Sequence, residues 1–210
     1  MINNLLTKNN VRNLPLMELF HTLQGEGFHT GKPAVFIRLA GCDVGCVWCD
    51  VKESWNPDNH PMTSEKDIID KVLSYKTKFA VITGGEPSLH NLNNLVKDLQ
   101  ENKVYTAIET AGTNKIPNYI DWVCFSPKKF KKPIDQVYQI ANELKVVIFH
   151  PSDLDWALDH EKKIVNKSCE LYIQPEWSKM NNHLSIILSF LKENPHWKLS
   201  LQTHKFLNIP

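Results

Sequence analysis

Short β-branched and aromatic runs alternate along the chain with amphipathic stretches of helical period. The runs predict strands at 34–39, 79–83, 105–109, 122–125, 145–149, 171–174 and 198–201. The stretches between them predict helices at 64–76, 92–101, 134–142, 154–160 and 182–193. Thr63 or Ser64 suits the cap of the first helix, with Glu65 and Asp67 in the opening turn, where the helix dipole favours negative charge. Strands as continuously apolar as FAVIT and KVVIF, each followed by a helix, are the pattern of a parallel sheet with both faces covered. The expected fold is therefore α/β, a partial (βα) barrel with a mostly parallel sheet and chemistry at the carboxyl ends of its strands. No repeat, low-complexity tract or linker divides the chain, so 17–210 reads as one core domain and the polar, Asn-rich 1–16 as an N-terminal extension.

The sequences that punctuate this pattern fall where that rim should be: GCDVGCVWCD after the first strand, GGEPS after the second, TAGT after the third, SPKK after the fourth and QPEW after the sixth. Composition narrows the partners. Lys and Arg number 24 against 23 Asp and Glu, a net charge of +1, so there is no basic excess of the kind a nucleic-acid partner requires. The apolar runs are far shorter than the roughly 20 residues of a membrane helix, and the N-terminus shows no signal-peptide pattern. A cytoplasmic protein without membrane association is expected.

Cys42, Cys46 and Cys49 form CxxxCxxC, flanked by Gly41 and Gly45, which can bend the backbone around a compact object. Thiolates select zinc, cuprous copper or iron–sulfur clusters. A structural zinc site takes four protein ligands, and the fourth would have to come from Cys124 or Cys169, both in apolar strand contexts that read as small core residues. Three thiolates on a four-iron cubane leave one iron open for a chelating ligand, and such clusters reach potentials of roughly −700 mV. A zinc knuckle and three free thiols in a turn remain alternatives at this point.

The triplet, with the aromatic Trp48 before its last cysteine, resembles the cluster loop of the radical S-adenosylmethionine (SAM) superfamily, and TGGEP after the next strand resembles that superfamily's second signature. The resemblance implies a [4Fe-4S] cluster on Cys42, Cys46 and Cys49 whose open iron is chelated by SAM, and release of a 5′-deoxyadenosyl radical on reduction. It also implies that Trp48, Cys49 and Asp50 lie along the adenine and that Gly84 and Gly85 approach the methionine amine. Glu86 and Glu109 would lie near that amine and the ribose hydroxyls. Within the superfamily, FHTLQGEGFHTGKPAVFIRLAGCDVGCVWCD, IETAGT, SPK, QPEW and the terminal LSLQTHKFLNIP resemble the 7-carboxy-7-deazaguanine synthase family from about Met17 to Pro210. That family implies a lyase that contracts a carboxytetrahydropterin ring in queuosine biosynthesis, a flavodoxin-like electron donor and a homodimer. The rival readings are another small radical SAM enzyme, such as a glycyl-radical activase, and a non-enzymatic metal-binding module.

By the same resemblance Ser126, Pro127 and Lys128, and Gln174, Pro175, Glu176 and Trp177, contact SAM. Leu23, Gln24, Gly25, Glu26, Thr83 and the terminal Pro210 contact the pterin. Arg38 has independent support. The chain has 22 Lys and 2 Arg, yet one Arg sits in the apolar strand VFIRLAG, where a planar bidentate donor suits a substrate carboxylate better than a point charge. The family commonly carries a magnesium-ligating threonine after Cys-Asp. Val51 stands there in this chain and cannot ligate, so a weakened or altered Mg²⁺ requirement is expected. His204 and Lys205 receive no role from the sequence.

Overall fold

Alternation of side chains along each strand, with period two, decides how this chain folds. The computed structural model describes residues 12–210, and 1–11 of the expected N-terminal extension lie outside the described residues. The elements are β1 (Asn13–Leu23), β2 (Pro33–Leu39), β3 (Met62–Ser64), α1 (Glu65–Leu73), β4 (Phe79–Gly84), α2 (Asn93–Glu101) and β5 (Tyr105–Thr110), then β6 (Trp122–Phe125), α3 (Asp135–Ile140), β7 (Glu143–Ile148), α4 (Asp153–Glu161), β8 (Glu170–Pro175), α5 (Met180–Glu193), β9 (Trp197–Leu199) and α6 (Thr203–Leu207). One nine-stranded sheet has the order β3-β1-β2-β4-β5-β6-β7-β8-β9. From β2 to β9 every pairing is parallel, and β1 runs antiparallel to both β2 and β3.

Val35, Ile37 and Leu39 of β2, Ala80 and Ile82 of β4, Ile108 of β5, and Leu144, Val146 and Ile148 of β7 point to the helix-covered face and form the main core. The alternate residues point the other way. Ala34, Phe79, Val81 and Ala107, with Phe36 and Trp122 against them, close the lower part of the inner face. Both faces are thus buried, which is why these strands read as continuous apolar runs. The sheet curls around its inner face: Thr203, beyond β9, donates its N–H to Gly25 O beyond β1 at 2.9 Å, and Gly27 N donates to Ser200 Oγ at 2.9 Å. An open, curved barrel is the result, and the loop from Gln24 to Lys32 plugs its amino-terminal side. No helix among the described residues is long and apolar enough to cross a membrane.

The seven expected strands and five expected helices are present with end shifts of a few residues. Ser64 caps α1, its Oγ accepting from Asp67 N at 3.1 Å. Three elements were not anticipated. β1 contains Pro15, which cannot donate to a ladder; it fits because β3 beside it has three residues and the pairing with β2 shifts register between Leu16 and Glu18. β1 also starts at Asn13, inside the stretch assigned to the extension, and puts Leu14 into the main core. The third is α6, five residues without a side-chain cap, too short to announce itself by period.

Candidate active site

Because β2 and β4 to β9 run the same way, their carboxyl ends share one rim, and the segments after them enclose a cavity of about 270 Å³. Of the residues expected at a site, all line this cavity except Pro127 and Pro175, which are buried and shape the turns after β6 and β8.

One wall is the cysteine loop. Its stem is held to the segment after it by Gly41 N to Ser54 O (2.6 Å) and Cys42 N to Trp55 O (3.2 Å), and Gly41 and Gly45 turn at φ of 100° and 71°. Val44, Cys46 and Ala111 form a small apolar cluster with Cys42, Trp48 and Cys49, separate from the main core. Burial pushes the Cys46 thiol up to about 11 and raises Cys42 as well, so neither ionises at neutral pH without a cation or cluster to bind. Donors already face the sulfurs: Trp55 Nε1 donates to Cys49 Sγ at 3.4 Å, and the Val44 and Gly45 amides face Cys42. The Lys128 ammonium lies over the Trp48 ring at 5.6 Å and close enough to Cys46 to favour its thiolate. Among the described residues no three His, Cys, Asp or Glu side chains converge on a point where a single ion could sit. Three soft ligands spread over a wall, with N–H donors and a partly buried cation beside them, fit an anionic multi-iron cluster better than one zinc ion. Cys169 packs on the main core, and Cys124 is buried on β6 in register with Glu109 and Glu143.

The turn after β4 faces that loop. Glu86, 2% exposed, accepts from Ser88 N (3.0 Å), Ser88 Oγ (2.6 Å) and Thr110 Oγ1 (2.5 Å) on one oxygen and from Ala111 N (2.7 Å) on the other. Its carboxylate ties the GGEP turn to the end of β5, and all of these partners are protein groups. Ser126, Lys128, Gln174, Glu176 and Trp177 come from the ends of β6 and β8, with Lys128 Nζ donating to Ser126 O and Oγ at 2.6 Å each. Asp50, at the mouth, is ion-paired with Lys205 at 2.9 Å, and Trp177 meets Phe206 edge to face.

A further part of the lining is built from β1, β2 and the tail. Phe20 and Phe36 stack at 5.3 Å, and the Arg38 guanidinium lies over Phe20. Arg38 Nε donates to Glu18 at 2.5 Å, the structural acid partner that β1 brings alongside; its two terminal nitrogens have no protein acceptor among the described residues. Thr83 lines the cavity on β4, in register with Arg38 on β2. Gln24, Gly25 and Glu26 follow Leu23 along the floor. The chain's last residue reaches the same place, Pro210 O accepting from Thr22 Oγ1 at 3.2 Å.

Glu109 lines the same cavity. It faces the floor, where Gln24 Nε2 (3.2 Å) and Lys145 Nζ (2.9 Å) hold its two oxygens. Lys145 and Gln202 carry no assignment from the sequence, and His204, which has no role there, joins them at the cavity. Lys145 carried a readable signal, a cation inside the apolar strand KVVIF, the reasoning that found Arg38. His204 packs against Gly25, where any β-carbon would collide with its imidazole, and that proximity is tertiary.

Comparison with known proteins follows this geometry. Residues 36–145 match the model of the radical SAM superfamily. The chain is 48% identical over 197 residues to a 7-carboxy-7-deazaguanine synthase of Flavobacterium psychrophilum, covering 94% of this chain and 93% of the relative. It is 42% identical to one of Synechocystis, covering 93% of each. The crystal structure of QueE from Escherichia coli superposes with a TM-score of 0.80 at 34% identity, covering 91% of this chain and 95% of that one. With similarity of that depth along nearly its whole length, this chain belongs to the 7-carboxy-7-deazaguanine synthase family of the radical SAM superfamily.

Proposed function

We propose that this chain contracts the ring of 6-carboxy-5,6,7,8-tetrahydropterin to 7-carboxy-7-deazaguanine with loss of ammonia, on the route to queuosine and related deazapurines. The supporting observation is that one cavity is lined both by the three cysteines and by an arginine beside an aromatic pair, whose terminal nitrogens have no protein acceptor among the described residues. A [4Fe-4S] cluster with SAM on its open iron would supply, on one-electron reduction, a carbon radical able to take a hydrogen atom from substrate. The chain's own contribution is placement and exclusion of water.

On the sulfur side, Cys42, Cys46 and Cys49 would hold the cluster. Trp48, Asp50, Gly84, Gly85, Ser126, Lys128, Gln174, Glu176 and Trp177 border the space for SAM, with Glu86 fixing the glycine turn. On the other side, the Nε bond to Glu18 fixes the plane of the Arg38 guanidinium and leaves a two-pronged donor for the substrate carboxylate. Gln24, Glu26 and Pro210 O offer acceptors to the N–H edge of the aminopyrimidine. A flavodoxin-like electron donor, a homodimer and a cytoplasmic site of action belong to the same reading.

Magnesium does not fit the donor set as well. Val51 brings no side-chain oxygen to the cavity wall, and the adjacent Asp50 carboxylate already faces the Lys205 ammonium at 2.9 Å. Turnover of carboxytetrahydropterin by anaerobically reconstituted protein tests the reading, and absence of the deazapurine product overturns it. In that assay rigorous chelation of Mg²⁺ is expected to change the rate less than about twofold, well under one tenfold step in rate; a steep loss restored by magnesium would mean that other oxygens replace the missing hydroxyl. Arg38→Lys is expected to raise KM for the pterin about 30-fold, the equivalent of about 2 kcal/mol for a charged hydrogen-bond pair. A lysine there presents one point of attachment, which Glu18 competes for. Steady-state kinetics at fixed SAM measure it, and an unchanged KM would remove Arg38 from substrate binding.

A further inference from the structure

Lys145 is 2% exposed, yet it lines the cavity. Its Nζ lies 2.7 Å from Glu26 Oε2 and 2.9 Å from Glu109 Oε2. Glu109 Oε1 accepts from Gln24 Nε2 at 3.2 Å, and Gln24 Oε1 accepts from Glu26 N at 3.1 Å. These four residues close a ring that joins the turn after β1, the end of β5 and the start of β7. Gln202, beyond β9, adds a fifth side chain by donating to Glu26 Oε1 at 2.8 Å.

Such a ring is an expensive way to hold a fold together. A buried ion pair seldom stabilises more than apolar packing of the same volume, whereas two buried carboxylates left without their cation repel and take up a proton. Every carboxylate oxygen in the ring has a partner, and both acids remain about one-fifth exposed on the cavity side. What faces the ligand is therefore a pair of acceptors with fixed orientation and no hydroxyl hydrogen. An N–H edge with adjacent donors is the complement of that surface.

We propose that Lys145 is the positioning residue for substrate recognition: its ammonium holds Glu26 and Glu109 as an ionised, acceptor-only pair that selects heterocycles presenting adjacent N–H donors. This rests on the substrate reading above and adds to it the cation that makes the edge selective. Other groups face the ring as well. Cys124 on β6 and Glu143 on β7 lie near Lys145, and His204 on α6 faces Glu26. Burial works against the Lys145 charge, and the facing acidic groups more than offset it. Burial likewise raises Glu26, but the Lys145 charge and hydrogen bond, with that of Gln202, hold it down at about 2.

The test compares Lys145→Met, Lys145→Arg and wild-type holoenzyme, reduced and anaerobic, by pterin kinetics from pH 6 to 9. In the wild type kcat/KM is expected to be flat on the acid side, since Glu26 titrates far below the range. In Lys145→Met two carboxylates without a cation share a proton, so KM rises at least 30-fold at pH 7 and kcat/KM climbs with pH. Lys145→Arg keeps the charge and is expected to restore the flat profile. Iron content and melting temperature report whether each variant is folded. Should Lys145→Met fail to fold, an acid limb in folded Lys145→Arg overturns the proposal and a flat one supports it. An unchanged KM and flat profile in folded Lys145→Met overturn it, and so does a loss confined to kcat. Wild-type protein that does not turn over the pterin at all overturns the substrate reading and this proposal with it, an outcome distinct from a wild type that turns over and a Lys145→Met that does so equally well.

Discussion

Serine in place of Cys46 is expected to leave a folded chain that reconstitutes no four-iron cluster and forms deoxyadenosine about a thousandfold more slowly than wild type, or not at all. Two arguments set the size. Removing a ligand removes the cofactor's chemistry rather than some of its positioning, and no side chain in the cavity wall can supply a low-potential electron in its place. A hydroxyl is a harder donor than a thiolate and remains protonated at neutral pH, so it does not substitute on iron. The fold survives because Cys46 packs in a satellite cluster with Val44 and Ala111, apart from the core between sheet and helices. Cys42→Ser and Cys49→Ser should behave alike, whereas Cys124→Ser and Cys169→Ser should keep their iron, since both cysteines lie outside the cavity wall. Iron analysis and absorbance near 400 nm after anaerobic reconstitution, beside a melting curve of each apoprotein, provide the measurement. Full iron in Cys46→Ser would break the ligand assignment on which the cavity's chemistry depends.

The separation between what can and cannot be read from this sequence follows sequence distance. Strands such as 79–83 are legible because a parallel strand buried on both faces must be apolar throughout, and turns such as GGEPS because their chemistry is local. Arg38 is legible as a misfit in an apolar strand, and Lys145 is the same kind of misfit. Its meaning is hidden, however, because Glu26 lies 119 positions away in the chain and Glu109 36. The bond of Glu109 to Gln24 is hidden for the same reason: nothing local says that the inner face of β5 points toward Gln24. β1 escaped because Pro15 argues against a strand interior, and only the register shift beside it shows how the sheet accommodates a residue without an N–H. The helix α6 is hidden in the sequence because it is held by Gly25, Asp50 and Trp177, three segments widely separated along the chain.

Those tail contacts bear on how the two walls stay in register. Thr203 bonds the floor at Gly25, Lys205 the cysteine loop at Asp50, and Phe206 the turn after β8 at Trp177. A single short helix thereby touches the floor of the cavity, the cysteine loop and the turn after β8. Glu86 plays the corresponding part deeper in, tying the glycine turn to Thr110 and Ala111, the latter packed against Cys46.

The largest stability effect is expected at Gly84. Gly84→Ala should destabilise the chain by about 3 kcal/mol or more, lowering Tm by roughly 10 °C, and reduce deoxyadenosine formation about a hundredfold. Gly84 has φ of 144°, a conformation side chains rarely adopt, and a methyl group there would overlap the Leu39 carbonyl and lie 2.7 Å from Leu39 N. Backbone on both sides prevents an easy retreat, because Leu39 and Gly84 are register partners and Leu39 O accepts from Gly85 N at 3.0 Å. The next bond, Glu86 N to Gly41 O at 2.8 Å, joins the same turn to the stem of the cysteine loop, so prying β4 from β2 displaces the cysteine loop and the glycine turn together. Gly31→Ala separates strain from collision. Gly31 also has positive φ, 85°, but nothing lies within 4 Å of an added carbon, so only the conformational strain remains, about 1 kcal/mol, with activity retained. Thermal unfolding and deoxyadenosine assays on both variants decide the matter: if Gly84→Ala melts and reacts like Gly31→Ala, the close approach of β4 to β2 is not what holds the two walls in place.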